Sequence, residues 1–534
     1  MLFKNRKNDF MNDQNLIDVI DAVIFSKEFR RLEDKTQLFS VSRGNHFRNR
    51  LTHTMEVLAI SKKIVRELKY IISQNDNYKD QNINEDLVEA IALSHDLGHT
   101  PFGHIGERTL NEILSRKDSL GGIIVNSNVK MPTISFKHNI NSGKILINNF
   151  RGINYKVIDG AIKHTFVFYK NYSDNGLLKI LSNTDFEKEI KKVTQYMQYW
   201  KILYPITIEG QIVSIADEIA QRCADLDDTY RSRYLNKLKN LIDYEKLNLE
   251  IKTFEENQYD IIISKIKFVL INGIKSSFET ILKNNDDLVF NELINTNIIN
   301  YYGEKITFDH EETKNRDKNA FKKFKENSES IRKQLVKEIK SRKKCQITDY
   351  ENANRLDYDL SKIIDVVLKN NDVRVSDSKS KQIIRQLFKA YYNNYQQLGN
   401  KEIVHFCQDV KDYLLKNKYK ILKKMVKEID EYNFSSQNKI SFEGIYFYNA
   451  GGQIELVNFF KRIDQLKIHG SKNEEWLDFQ NIDMLIEFIK NNHHKCNVIN
   501  NIFNIFLSHI ANYIASMTDS YAITKYQELY GIKK

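Results

Sequence analysis

The stretch Leu93-Ser94-His95-Asp96-Leu97-Gly98-His99-Thr100-Pro101-Phe102-Gly103-His104-Ile105-Gly106-Glu107 places three histidines and two carboxylates within fifteen residues. Imidazole is a metal ligand and a near-neutral acid or base, and Asp and Glu are hard-oxygen ligands or orienting groups. A helix that only packs does not concentrate ionisable groups this way, because buried charge is costly unless paired or metal-bound. The residues leading in, Glu85 to Leu97, carry Leu87, Val88, Ile91, Ala92 and Leu93 at helical spacing, with Asn84 as the N-cap. Pro101 ends this helix or opens the next turn, so that His104 and Glu107 lie three apart on a new helix and share one face.

Further chemistry-bearing strings lie to either side. Upstream are Arg50-Leu51-Thr52-His53-Thr54-Met55-Glu56-Val57 and Phe29-Arg30-Arg31-Leu32-Glu33-Asp34-Lys35-Thr36-Gln37-Leu38-Phe39. Downstream are Phe136-Lys137-His138-Asn139, then Gln211 to Ala220 with Asp217, then Asp225-Leu226-Asp227-Asp228. Tyr513 to Ala522, with Asp519, lies near the C-terminus. The His95-Asp96 pair resembles the signature of the HD metal-dependent phosphohydrolases. The longer HDLGHTPFGHIGE string resembles one branch of them, the deoxynucleoside triphosphate triphosphohydrolases. The resemblance covers roughly residues 16–235 and returns in shorter pieces near 370–400 and 505–530.

That resemblance implies a metal set of His53, His95, Asp96 and Asp217. Two imidazoles and two carboxylates suit Mn, Mg or Fe, and Zn is also compatible. It implies a catalytic group of His104, Glu107 and His138. His104 is the first candidate for protonating the 5′-oxygen leaving group, Glu107 orients it, and His138 is the second candidate. Arg50 and Lys163 are candidate phosphate cations. His99 reads either as a phosphate contact or as a structural hydrogen-bonder, and His164 reads either way too. Gln37 and Asp225 match positions near the sugar 3′-hydroxyl. Gln221 stands where the family usually carries a tyrosine against the sugar, and Ser520 replaces the arginine of the usual Met-Thr-Asp-Arg. Both departures bear on selection of deoxyribose. The implied reaction converts a deoxynucleoside triphosphate to deoxynucleoside and inorganic triphosphate. Two other readings stay open: a different HD-type nucleotide phosphohydrolase, and a nucleic-acid-regulated HD protein.

Composition agrees with a large enzyme. The chain has 534 residues, 41% of them hydrophobic, enough for a substantial core. Only three prolines and 19 glycines interrupt it, so the expected fold class is all-α. Apolar stripes at Leu51–Leu68 and Ile206–Leu226 fit this. A partly alternating stretch, Lys439 to Val457, predicts one small β-hairpin. The expected organisation is an HD core over 1–235, a basic helical insert over 236–360, and a C-terminal helical region over 361–534 that completes the core. No apolar run spans a membrane, and the basic N-terminus lacks the apolar segment of a signal peptide. Four widely spaced cysteines fit reduced thiols and a cytoplasmic setting.

The net charge of +11 suits a polyanionic substrate. Its densest block, Lys314 to Lys344, reads first as a solvated basic helix with a linker, and second as a site for regulatory single-stranded nucleic acid. The resemblance implies a homo-oligomer, with hexamers common in the bacterial dGTPase-like group.

Overall fold

Two segments of the candidate metal motif sit at helix ends, His53 in the first turn after a capped N-terminus and His95 at a C-terminus, while Asp217 lies inside a long helix. The computed structural model describes residues 16–37, 48–124, 133–150, 152–165, 190–198, 204–231, 259–284, 371–399, 401–410, 479–493 and 497–531, a few isolated positions such as Asp357, and four short strands. The described residues fall into two compact units. The first is drawn from Met1–Ile105, Lys137–Ser380 and Thr518–Ser520, the second from Gly106–Phe136, Lys381–Met517 and Tyr521–Lys534. The boundary expected at 235 and the Lys314–Lys344 block lie outside the described residues.

In the first unit the helices are α1 (Leu16–Ile24), α2 (Lys27–Arg30), α3 (Arg50–Ser73), α4 (Glu85–Ser94), the start of α5 (Gly103–Leu114), α6 (His138–Asn149), α7 (Tyr155–Lys163), α8 (Ile208–Arg231) and α9 (Tyr259–Asn284). Helix α3 starts with a capping box in which the Asn49 side chain accepts from the Thr52 N–H and the Thr52 hydroxyl accepts from the Asn49 N–H. Asn84 caps α4 by accepting from the Leu87 N–H, as its sequence position predicts. The apolar stripes face one core. Ile64 and Val65 of α3, Val88 and Ile91 of α4, Val157 and Ile158 of α7, and Ile212 and Ile219 of α8 are all buried in it. Each such side chain contributes about 1.5–3 kcal/mol by leaving water.

Two glycines set the spacing. A side chain at Gly160 would meet Ile91 at 2.7 Å, so α7 and α4 pack this closely only with glycine there. A side chain at Gly98 would meet the backbone N of Ser142 at 2.2 Å and the His138 carbonyl at 2.4 Å. The turn after α4 therefore lies directly on the start of α6.

The second unit holds most of α5, with α10 (Asn371–Asn393) from Lys381 onward, α11 (Phe479–Asn492), α12 (Asn497–Ala515) and α13 (Asp519–Tyr530) from Tyr521 onward. Arg116 is fastened in it by hydrogen bonds to Asn500 and Asn504, both 2.8 Å, with its guanidinium 5.3 Å from the Phe503 ring centre. The predicted hairpin is present as strands β1 (Ile440–Phe442) and β2 (Ile445–Phe447), antiparallel with Ile440 opposite Phe447. A second hairpin, β3 (His469–Ser471) and β4 (Glu474–Trp476), lies where the sequence pattern gave no expectation. The fold class is all-α with an HD domain. Among the described residues no helix is long and apolar enough to cross a membrane.

Candidate metal centre

Helix α4 ends at Ser94, and His95 is its C-cap. The His95 Nδ1 lies 2.7 Å from the Ala92 carbonyl. A carbonyl only accepts, so Nδ1 carries the hydrogen and Nε2 presents its lone pair. That Nε2 is fully buried and has no hydrogen-bond partner. It lies 3.6 Å from Asp96 Oδ2 and 3.9 Å from Asp217 Oδ1. His53, one turn into α3, places Nε2 2.8 Å from the same Asp217 oxygen, contributed by α8. The donor atoms of His53, His95 and Asp217 all lie within 4.8 Å of one another.

An orphaned imidazole nitrogen facing two carboxylates fits a divalent cation, since buried polar atoms are ordinarily satisfied. The electrostatics agree. Burial opposes the charge on Asp96, but His95 and Arg50 outweigh it and hold its carboxyl well below the usual range. Asp217 is lowered in the same way, against burial, by its hydrogen bond to His53. Burial also opposes protonation of His53, yet the Asp217 hydrogen bond raises its pKa.

The turn His95–His99 is fixed on α6. The Gly98 N–H donates to the Ser142 hydroxyl at 2.9 Å, that hydroxyl donates to the His95 carbonyl at 2.7 Å, and the Asn141 amide donates to the Gly98 carbonyl at 2.9 Å. His138, first residue of α6, thereby joins the cluster with Nε2 3.8 Å from Asp96 Oδ1. The His99 ring stacks on His138 at 4.3 Å and 26°. Burial and the Arg50 charge hold His99 neutral, well below its ordinary pKa, and neither of its nitrogens has a hydrogen-bond partner. His104, near the start of α5, is exposed, with its ring 5.5 Å from His99 and 6.1 Å from His138. Glu107 is buried one turn further along α5.

Arg50 spans the cluster. Its Nη1 donates to Asp96 Oδ2 at 2.8 Å and its Nε to the Thr36 carbonyl at 3.3 Å, while Nη2 is buried without a hydrogen-bond partner. Residues 35–37 run beside 48–50 as a short antiparallel bridge, which brings the buried Gln37 to the start of α3. Its Oε1 also has no hydrogen-bond partner. Asp519 fastens this segment, accepting from the Thr36 N–H at 3.1 Å, the Thr36 hydroxyl at 2.5 Å and the Phe102 N–H at 2.8 Å. Phe102 itself sits at φ +60°, a conformation that costs energy for a side chain with a Cβ. Ser520 binds the Asp34 carboxylate through its N–H and hydroxyl. Gln221 and Asp225 follow Asp217 at four-residue intervals along one face of α8.

The structure sends Lys163 elsewhere. Its ammonium is fully buried, pairs with Asp159 one turn earlier on α7, and lies 5.7 Å from the Tyr196 ring centre. The next residue, His164, is the one turned toward Asp96, with Nε2 3.9 Å from Oδ1. Like His95, it caps a helix and hydrogen-bonds through Nδ1 to the carbonyl three residues back, Ala161, at 2.7 Å. Burial, with His95 as a neighbour that would compete for the same proton, lowers its pKa to about 3. Lys35 is the other addition. It donates to the His99 carbonyl and is fully buried, which lowers its pKa to about 7.

The HD domain family model matches residues 50–221, the span from α3 to the middle of α8. A deoxyguanosinetriphosphate triphosphohydrolase-like protein of Caldanaerobacter subterraneus subsp. tengcongensis is 36% identical over 234 residues, 43% of this chain and about half (48%) of the relative's length. The protein of the same name from Clostridium tetani is 31% identical over 299 residues, 54% of this chain and 68% of the relative. The one from Rickettsia bellii is 27% identical over 401 residues, 72% and 80% of the two chains. The HD match and these relatives agree: the chain belongs to the HD-domain family of deoxyguanosinetriphosphate triphosphohydrolase-like proteins.

Proposed function

We propose that the protein hydrolyses deoxynucleoside triphosphates to deoxynucleoside and inorganic triphosphate in a divalent-metal-dependent reaction. The observation that carries this reading is the buried His95 Nε2, without a hydrogen-bond partner and facing the Asp96 and Asp217 carboxylates. His53, His95, Asp96 and Asp217 would hold Mn, Mg or Fe, with Zn also compatible, and the ion would supply Lewis-acid polarisation at the α-phosphoryl group.

The chain's own residues do the rest. Arg50 uses Nη1 to hold Asp96 and keeps Nη2 for a phosphate oxygen, the forked geometry that suits phosphate. His99, neutral and unpartnered on both nitrogens, supplies a second phosphate contact. His104 is solvent-exposed beside His99 and delivers a proton to the departing 5′-oxygen, with Glu107 on the same helix orienting it and His138 as the alternative proton donor. Gln37, Gln221 and Asp225 face the sugar in this assignment. Lys163, sealed into its pair with Asp159, acts instead by holding the end of α7. The protein works in the cytoplasm as a homo-oligomer, which light scattering tests. Single-stranded nucleic acid as a regulator is tested by titration at low and high salt, since phosphate contacts weaken steeply with salt.

Incubation with each dNTP and NTP, with Mn(II) or Mg(II), followed by chromatography tests the central reading. Intact triphosphate and a deoxynucleoside are expected. Release of orthophosphate or pyrophosphate in their place overturns it.

A further inference from the structure

We propose that Arg116 marks an anion site in the second unit, outside the candidate metal centre, that takes a phosphate-type oxyanion. The site is built from that unit alone and stands whether or not the substrate reading holds.

Arg116 is a buried cation without a counter-charge. Only 8% of the residue is exposed, and among the described residues no carboxylate pairs with it. Its Nη2 donates to Asn500 Oδ1 and Asn504 Oδ1, both at 2.8 Å, and the guanidinium lies 5.3 Å from the Phe503 ring centre. These partners are neutral, so the charge is hydrogen-bonded but not balanced. Nε is buried with no hydrogen-bond partner. Burial lowers the pKa of the group to about 10, which is the mark of an uncompensated cation. Buried charges are ordinarily paired, and a tie between the end of α5 and α12 needs no charge at all.

The backbone gives an independent sign. Arg116 lies just past the end of α5 at φ +59°, the left-handed conformation that glycine or asparagine ordinarily supplies there. Its N–H donates to the Ile113 carbonyl and the Lys117 N–H to the Glu112 carbonyl, both at 2.9 Å, so the turn is fixed. A long cationic side chain is thus held at a strained position and aimed at the face of α12 that carries Asn500, Phe503 and Asn504 at helical spacing. A second cation borders the same aromatic cluster. The Lys490 ammonium donates to the Tyr392 carbonyl and lies 4.5 Å from the Tyr392 ring centre, and that ring meets Phe503 at 6.2 Å. Burial lowers the Lys490 pKa to about 8, opposed only through space by Glu487 and Asp483, and no ion pair forms. Two cations without ion-pair partners call for an anion. A guanidinium with an unused Nε–H selects an oxyanion, whose oxygens take planar, directed N–H donors.

The test uses the full chain, treated with a chelator, and titrates inorganic phosphate by calorimetry against chloride at equal ionic strength. Saturable phosphate binding is expected, tighter than that of chloride, with a melting temperature that rises with phosphate concentration. Arg116→Met should weaken binding about ten- to a hundredfold, the value of a charge-assisted hydrogen bond, and abolish the thermal shift. Lys490→Met should weaken it less. Arg50→Ala, which removes the cation of the candidate metal centre, should keep this binding. Inorganic triphosphate forms a second arm: equal affinity identifies a single phosphate group as the ligand, tighter binding a polyphosphate, and either is lost in Arg116→Met. No saturable binding by the wild type, or binding no tighter than that of chloride, overturns the proposal. So does binding that survives in Arg116→Met and disappears in Arg50→Ala. The wild-type titration decides the matter even where a variant fails to fold. Product analysis keeps the two proposals apart: phosphate binding without triphosphate release sinks the substrate reading alone, and triphosphate release without phosphate binding sinks the anion site alone.

Discussion

Lys163 and His164 are neighbours in sequence, yet their side chains enter two different kinds of buried polar cluster. Lys163 joins a closed one: its ammonium pairs with Asp159, which also accepts the Tyr196 hydroxyl at 2.8 Å and the Ile206 N–H at 2.8 Å. Burial pushes Asp159 up and Lys163 down in pKa, and the hydrogen bonds between them make the close approach tolerable. His164 joins an open cluster, in which His95 Nε2, both nitrogens of His99 and Nη2 of Arg50 are buried without hydrogen-bond partners. Leaving such atoms unsatisfied costs about 1–3 kcal/mol each. A closed cluster is explained by the fold that it stabilises. An open one is explained by what it binds.

If that distinction is right, variants in the two clusters fail differently. The largest effect is expected at His95→Ala, which should reduce hydrolysis to background and lower bound metal. Stability should fall by only about 1 kcal/mol, the value of its hydrogen bond to Ala92. Denaturant titration and metal analysis read the two effects. Wild-type turnover with unchanged metal would erase the distinction at its centre.

His104→Ala comes next. It should keep metal and nucleotide binding but lose about 10²–10⁴ in turnover, the range for a positioned acid or base. Glu107→Gln should lose less. Normal rates in both variants would move the proton to His138.

Asp159→Ala tests the closed cluster. It removes one carboxylate and strands three partners, so it should cost about 3–5 kcal/mol of stability, the usual penalty for breaking a buried pair. The fraction that stays folded should bind metal normally. Metal loss without a stability loss would show that the Lys163 cluster serves the site directly.

The two clusters also differ in how far the sequence reveals them. The HD string announces the open cluster because histidine, aspartate and glycine crowd into one turn, and the glycine proves to be the point where that turn meets α6. The Asn84 cap and the stripes of α3, α4 and α8 were equally legible, since capping and helical periodicity are local. His164 carries no such local crowding. Its one signal is position: it follows an apolar helical segment, Val157 to Ile162, as His95 follows Leu87 to Leu93, and both become C-caps that hydrogen-bond to the carbonyl three residues back. Lys163 carries a charge that fits a phosphate, and Asp159 stands four residues before it, the spacing of an ion pair within one helix. The second hairpin, His469–Ser471 with Glu474–Trp476, lacks the apolar alternation by which the first was read.

Lys35 lies between the two kinds of cluster and gives the smallest effect. It donates to the His99 carbonyl, so it belongs to the scaffold, but its neighbours include the Arg50 charge of the open cluster. Burial, with Asp519 opposing it, brings its pKa from 10.5 to about 7. In the unfolded chain the ammonium keeps its proton up to about 10.5, whereas in the folded chain it loses it near 7. Unfolding therefore takes up a proton between these limits, and this group makes stability rise with pH across that window, with no slope below or above it. One unit corresponds to about 1.4 kcal/mol, so between pH 7 and 9 the wild type should gain about 1–3 kcal/mol relative to Lys35→Met. Urea titrations of both proteins at the two pH values measure the difference. Parallel pH dependence in the two proteins would mean that the Lys35 ammonium keeps its charge when buried, which would place it with Lys163 among groups held by their partners.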